Sequence, residues 1–432
     1  MLIYTPKITS RTEYTFNLIF DTIWDIEHKL TDDVEFFKEN EGNKLNYSSK
    51  KIDDEFFIKR YGLLEEEGVS IQEINFNEWN SLPIFYQNSD EVIPFDVFSA
   101  TFFLVSRYEE YLPHIKDHYN RFTAKESLAH KYNFLDRPLV NLWLLEFKKV
   151  LLNHFPSLTF SDKKFSYQST IDIDNAYCFL EKGFVRTTAS FIKSAFEMDK
   201  ELIKQRKDVL LGRERDPYDT FELQLSLNKR YDIDVVYFIL LADYGFNDKN
   251  CSVYSRKFQL LIKHLSDHAQ LGIHPSFASN VSFETLTIEK KRLENIIKKE
   301  VELSRQHFLK LDLPKTYRNL IKLSVKDDYT MGYASLPGFR ASICTPFYFY
   351  DLELETTTNL KVHPFAVMDA TFKYYLRTSP EQSLSMIKKI IDDIKLVNGH
   401  FISLWHNETW SEYKEWKGWS KLYEKMLEYI YN

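Results

Sequence analysis

From Phe165 onward the chain alternates short apolar runs, each closed by a polar residue, with longer amphipathic segments. Extended stretches are predicted at Ser166–Ile173, Ile233–Leu241, Leu271–His274 and Phe401–Trp405. Helices are predicted at Tyr218–Tyr231, Ser255–Leu265, Phe283–Leu303 and Pro380–Val397. Two of these helices show one apolar side: Leu286, Leu293, Ile296, Ile297 and Val301 in the first, and Leu384, Ile387, Ile390, Ile391 and Ile394 in the second, which Gly399 stops. Strand, helix, strand in this order means parallel β/α units. Before about Pro156 the rhythm differs. Short strands at Ser70–Ile74 and Leu82–Tyr86 mix with helices at Arg11–Leu30, Asp96–Tyr111 and Arg137–Phe155. The expected organisation is therefore α/β throughout, with an N-terminal α/β module over 1–160 and a β/α unit over 161–432. With 11 glycines in 432 residues and no linker rich in Gly, Pro or Ser, the boundary has to come from pattern.

Composition narrows the function classes. At 44% hydrophobic and 28% charged residues the chain is too apolar for disorder. Its net charge is −7, and the one basic run, Lys290-Lys291-Arg292, is flanked by Glu289 and Glu294, so no nucleic-acid partner is expected. Cys178, Cys251 and Cys344 form no CxxC pair and read as ordinary reduced thiols. No run reaches the ~18 apolar residues of a spanning helix, and residues 1–10 carry no leader pattern, which predicts a cytoplasmic location and no membrane-spanning segment.

Parallel β/α folds place ligands at the carboxyl ends of strands, so the polar residues closing the apolar runs are the candidates. In Thr170-Ile171-Asp172-Ile173-Asp174 a period of two turns both carboxylates the same way. Such a pair needs a metal or a shifted pKa, or serves as helix N-caps. Leu271-Gly272-Ile273-His274-Pro275 delivers an imidazole at a strand end, a good ligand for a borderline metal or equally a turn residue. Ser304-Arg305-Gln306-His307-Phe308 and Ser403-Leu404-Trp405-His406 add two more.

Taken in order, these pieces resemble the polysaccharide deacetylase (NodB-homology) family, carbohydrate esterase family four. Thr170–Asp174 is similar to its T-F-D-D-G motif, with Ile173 inserted between the acids; His274–Ala278 to its H-[ST]-x-x-H, with Ala278 at the second His; Arg305–Phe308 to its R-x-P-Y; and Leu404–His406 to its closing L-x-H. Phe102–Tyr111, Gly272–Ser276 and Gly338–Ala341 resemble a bacterial subgroup with an N-terminal extension.

The resemblance implies a distorted (β/α) barrel and a hydrolase of amide C–N bonds that removes an acyl group, N-acetyl first of all, from a saccharide. It implies Asp172 as base, Arg305 as the residue orienting it and His406 as general acid. It implies a divalent metal, zinc with cobalt or nickel as alternatives, on Asp174 and His274, with the third ligand from His307, His363 or His268. Arg340 is expected either to face substrate or to sit in a salt bridge. Trp405, with Trp410, Trp416 and Trp419 near it, is expected to stack on sugar or to pack a terminal helix. Asp243 and Tyr244 form a candidate rim loop. Two other readings of the same features are a catalytically inactive carbohydrate-binding or scaffold protein, and a D-x-D glycosyltransferase.

Overall fold

The first strands of the computed structural model, which describes residues 1–88, 92–196 and 198–431, are short and parallel. β1 (Leu2–Tyr4), β2 (Lys29–Thr31), β3 (Lys44–Ser48) and β4 (Phe56–Lys59) form a four-stranded sheet in the order β2-β1-β3-β4. A separate antiparallel pair, β5 (Asn77–Trp79) and β6 (Leu82–Ile84), turns through Asn80 and Ser81, both at positive φ as a tight hairpin turn requires. Residues 70–74 are not a strand; the Ser70 N–H donates to the Tyr108 hydroxyl instead of to a sheet.

Three helices expected in this segment are present in altered form. Leu139–His154 is helical nearly as predicted. The helix expected over Arg11–Leu30 is α-helical only at Ser10–Phe16, then widens into a π-helical stretch at Asn17–Trp24 that Asp25 ends in the left-handed region. The helix expected over Asp96–Tyr111 runs from Val97 to Val105, capped by Asp96 accepting the Ser99 N–H. It breaks because Arg107 turns left-handed, at φ 57°, and its guanidinium then meets Glu109 and Glu110.

The rest of the chain builds one nine-stranded sheet: β7 (Ser166–Ile173), β8 (Asp234–Ile239), β9 (Gln270–Ile273), β10 (Leu303–Ser304), β11 (Asp327–Asp328), β12 (Phe347–Asp351), β13 (Thr356–Val362), β14 (Val367–Met368) and β15 (His400–His406). Their order is β12-β13-β11-β10-β9-β8-β7-β15-β14, parallel except for the β12–β13 hairpin. The helices predicted here occur at Phe221–Tyr231, Arg256–Ser266, Phe283–Ile297 and Pro380–Leu396. Helices Phe184–Phe196 and Lys200–Leu210, between β7 and β8, are additional to the sequence reading.

The sheet is open, which corrects the expected barrel: among the described residues no pairing joins β12 to β14. The β12 edge meets the N-terminal segment instead. The Tyr14 hydroxyl donates to the Tyr348 carbonyl, the Tyr14 and Tyr350 rings lie 5.0 Å apart, and Arg11 pairs with Glu355. One apolar core accordingly runs from Ile3, Phe98 and Trp143 through to Tyr317, Phe349, Leu360 and Val362.

The two faces of the large sheet bury different sets. Ile171, Tyr237, Ile239 and Trp405 pack under the helices, whereas Val236, Phe238, Ile402 and Leu404 point inward with Tyr329, Phe365 and Met368. That inner face is the floor of the site. Among the described residues no helix is long and apolar enough to cross a membrane.

Candidate active site

The registers of β7, β8, β9 and β15 bring their carboxyl ends to one place. Asp172 lies opposite His406 on one side and Phe238 on the other, and Ile273 is level with Ile239. Asp174 and His274 follow their strands directly, and Arg305 follows β10. The strands approach closely at Gly272, where a Cβ would stand 2.5 Å from the Phe238 ring and 2.9 Å from the Leu303 carbonyl, so a side chain there would clash with both neighbouring strands.

Three imidazoles converge on one carboxylate. His274 Nε2 is 3.1 Å from Asp174 Oδ1, His307 Nε2 is 3.4 Å from Asp174 Oδ2, and His406 Nε2 is 3.6 Å from the same oxygen. Each ring is fixed from behind by an acceptor at Nδ1. His274 donates to the Arg305 carbonyl at 2.6 Å, His307 to Asp248 at 2.8 Å and His406 to Asp369 at 2.7 Å. With Nδ1–H committed in this way, the neutral ring presents an unprotonated Nε2 to the site. Asp172 sits beside this group, accepting from Arg305 Nη1 at 3.0 Å, with its other oxygen 3.7 Å from His274 Nε2. Arg305 is itself fully buried, donates from Nε to the Tyr329 carbonyl and lies over the Phe238 ring.

The electrostatics follow from this crowding. Burial alone would raise the Asp174 carboxyl, but His307 and His274 hold it well below the usual carboxylate range. Burial works against a charged His307, and Asp174 and Asp248 more than offset it, raising the imidazole to about 9. His406, opposed by burial and favoured by Asp369, Asp174 and Asp172, is raised to about 10. Glu408 is pushed up to about 7, by burial first and by Asp174 and Asp369 after it.

The donor set suits a divalent ion. Asp174, His274 and His307 each offer one ligand atom, and these atoms all lie within 4.8 Å of one another. The buried Asp174 Oδ1 has no hydrogen-bond donor. One oxygen and two imidazole nitrogens match zinc, cobalt or nickel. These three residues line a cavity of about 310 Å³ whose other lining residues include Leu309, Met368, Leu404, Tyr374, Tyr375 and Trp416.

Residues 1–156 match the model of a family of unknown function, DUF7033. No curated protein matches the chain. Among solved structures, the chain is similar to a polysaccharide deacetylase from Bacillus cereus, at 12% identity and a TM-score of 0.30, covering 62% of this chain and 88% of that one. It is similar to a CE4-family pseudoenzyme from Bacillus anthracis, at 12% identity and a TM-score of 0.30, over 61% of this chain and 62% of that one. It is also similar to an allantoinase, at 9% identity and a TM-score of 0.39, over 62% and 84%.

Several candidates lie elsewhere. Arg340 does not face the cavity: it is buried, with Nε and Nη2 donating to Glu110. Trp405 is likewise buried, its ring 5.0 Å from Tyr423 in the helix layer and its indole N–H on Ser403, because alternation along β15 gives the site face to Leu404 and His406. Of the four tryptophans named, Trp416 is the one lining the cavity. Asp243 is exposed and paired with Arg292, and Tyr244 is exposed under Arg186. His363 donates to Asp327 and stacks on Tyr329, and His268 is exposed beside His264, so neither joins the cluster.

Asp369 carries no signal in the sequence, and Asp248 reads there as a polar residue beside the Asp243–Tyr244 rim loop that could contact substrate or cap the next helix. Asp369 follows the two-residue β14 and accepts the His406 backbone N–H as well as its ring N–H. Asp248 accepts from His307 and from the backbone N–H groups of Phe277 and Ala278. The turn around Ala278 thus helps to hold the carboxylate that orients His307.

Proposed function

We propose that the chain is a metal-dependent hydrolase that removes an acyl group, N-acetyl first of all, from a saccharide. The observation that carries this reading is the convergence of ring-locked imidazoles on Asp174 beside the Arg305–Asp172 pair. Asp174, His274 and His307 would hold the ion, with zinc as the first candidate and cobalt or nickel as alternatives. When bound, it would polarise the amide carbonyl and make water a better nucleophile near neutral pH.

The remaining work falls to side chains. Asp172 takes the proton of the attacking water, and Arg305, donating to it at 3.0 Å, keeps that carboxylate aimed. His406, charged at neutral pH and steadied by Asp369, gives a proton to the departing amine. Leu309, Met368 and Leu404 give the cavity apolar lining suited to the acyl methyl. Tyr374 and Tyr375, both exposed, offer rings for a sugar face, with Trp416 buried behind them. Ala278 offers no imidazole, but His307 supplies one to the same carboxylate that His274 faces, which speaks against the inactive-scaffold reading.

The test is metal content by elemental analysis of the purified protein, followed by a screen of N-acetylated sugars for released acetate. Near-stoichiometric metal, lost in Asp174→Ala and His274→Ala, and acetate release that depends on it support the hydrolase. A protein that takes up no zinc, cobalt or nickel contradicts it.

A further inference from the structure

We infer that the N-terminal segment supplies a working part of this site: Arg121 is a positioning residue that keeps His307 turned toward Asp174. The inference rests on the reading of His307 as a metal ligand. His307 begins a turn in which Phe308 has φ 59° and ψ 10° and Leu309 has φ 53°, two successive residues with Cβ atoms in the left-handed region. Such a backbone is strained and persists only where its surroundings over-determine it.

The surroundings that do so come from residues 116–122, far earlier in the chain. Arg121 Nη1 donates to the Phe308 carbonyl at 2.6 Å across a separation of 187 residues. The same guanidinium donates from Nε to Asp117 at 2.8 Å and from Nη2 to the Tyr375 hydroxyl at 3.4 Å, and Arg121 is buried. Tyr119, under the Arg121 guanidinium, packs its ring 4.9 Å from Phe308 and 6.1 Å from Phe277.

The loop is itself pre-set. Lys116 and Phe122 form an antiparallel bridge, and Asp117 accepts the backbone N–H groups of Tyr119 and Arg121. Phe308 is therefore held by its carbonyl and by its ring from one rigid loop. Its neighbour His307 is anchored on the other side by its N–H to the Pro275 carbonyl and by Nδ1 to Asp248. Release of the Phe308 carbonyl lets the turn relax to right-handed angles, which rotates the His307 backbone and carries Nε2 away from Asp174 and His274. Outer partners of metal-binding histidines act on affinity in this way.

The experiment is zinc affinity of the full-length protein, without substrate, measured by competition with a chromophoric chelator for the parent, Arg121→Ala, His307→Ala and the double variant. Circular dichroism reports folding of each. The expected result is a ~10–100-fold loss of affinity in Arg121→Ala, shrinking to within ~2-fold when His307 is already Ala. Arg121→Lys retains a charge beside Asp117 but not the fork, and replaces Arg121→Ala if that variant does not fold; it too is expected to bind zinc more weakly. Parent-like affinity in a folded Arg121 variant, or an equal loss with and without His307, overturns the inference while leaving the metal site standing. No zinc uptake by the parent protein overturns both.

Discussion

The molecule contains two buried charge clusters, and they are built to opposite rules. At the junction between the N-terminal segment and the large sheet, Arg107 and Arg340 both donate to Glu110, Arg107 also reaches Glu109, and the second Glu109 oxygen takes the Leu128 N–H. Opposite charges face each other there and the carboxylate oxygens are all occupied. In the site, three Nε2 atoms surround one carboxylate, and the Asp174 Oδ1 atom receives no hydrogen bond. A cluster that consumes its own acceptors acts as mortar, and one that leaves ligand atoms over is ready for something from outside.

That contrast can be broken from either side. The largest expected effect is at Asp174: Asp174→Ala should abolish stoichiometric zinc uptake and all metal-dependent acetate release, with the fold intact by circular dichroism. Next, Asp172→Asn and His406→Ala should each lower kcat by ~10²–10⁴-fold while zinc content stays near that of the parent, as measured by steady-state kinetics beside elemental analysis.

Glu110→Gln should do the reverse. It leaves two buried arginines short of charge, which costs ~3–5 kcal/mol of stability by denaturant unfolding, with zinc affinity of the folded fraction unchanged. This loss depends on pH with a definite sign. Burial opposes the Glu110 charge, but Arg340 and Arg107 bring its carboxyl down to about 2, below the ordinary value of 4.5. Its contribution is therefore complete above about pH 4.5 and fades as pH falls through about 2, so the gap between parent and variant should narrow in that window.

The effect that is smallest per step, read one pH unit at a time, is the most diagnostic of the site. Since the metal-free His307 holds its proton up to about 9, zinc must displace that proton. Apparent affinity should rise up to ~10-fold per pH unit from pH 6 toward 9, and His307→Ala should flatten the slope.

Much of this arrangement is legible in the sequence because it follows strand ends. β7 and β15 lie within a residue of their expected limits at the site end, so the alternation of apolar and polar residues alone puts Asp172, Asp174 and His406 on one rim. Asp369 is not legible in this way, since β14 spans two residues and gives no periodic signal. Arg340 and Trp405 are ambiguous for a different reason. The Arg340 partner, Glu110, is 230 residues away, and which face of β15 meets the helices depends on packing. The open sheet also lies beyond pattern: the edge strand β12 is covered by a segment from the far end of the chain.

The central claim is that Asp174, His274 and His307 form a metal site. Zinc titration of the metal-stripped protein by calorimetry, beside Asp174→Ala, tests it most directly. The account predicts one ion per chain in the parent, with proton release, and none in the variant. Equal binding by both proteins, or binding by neither, would contradict it.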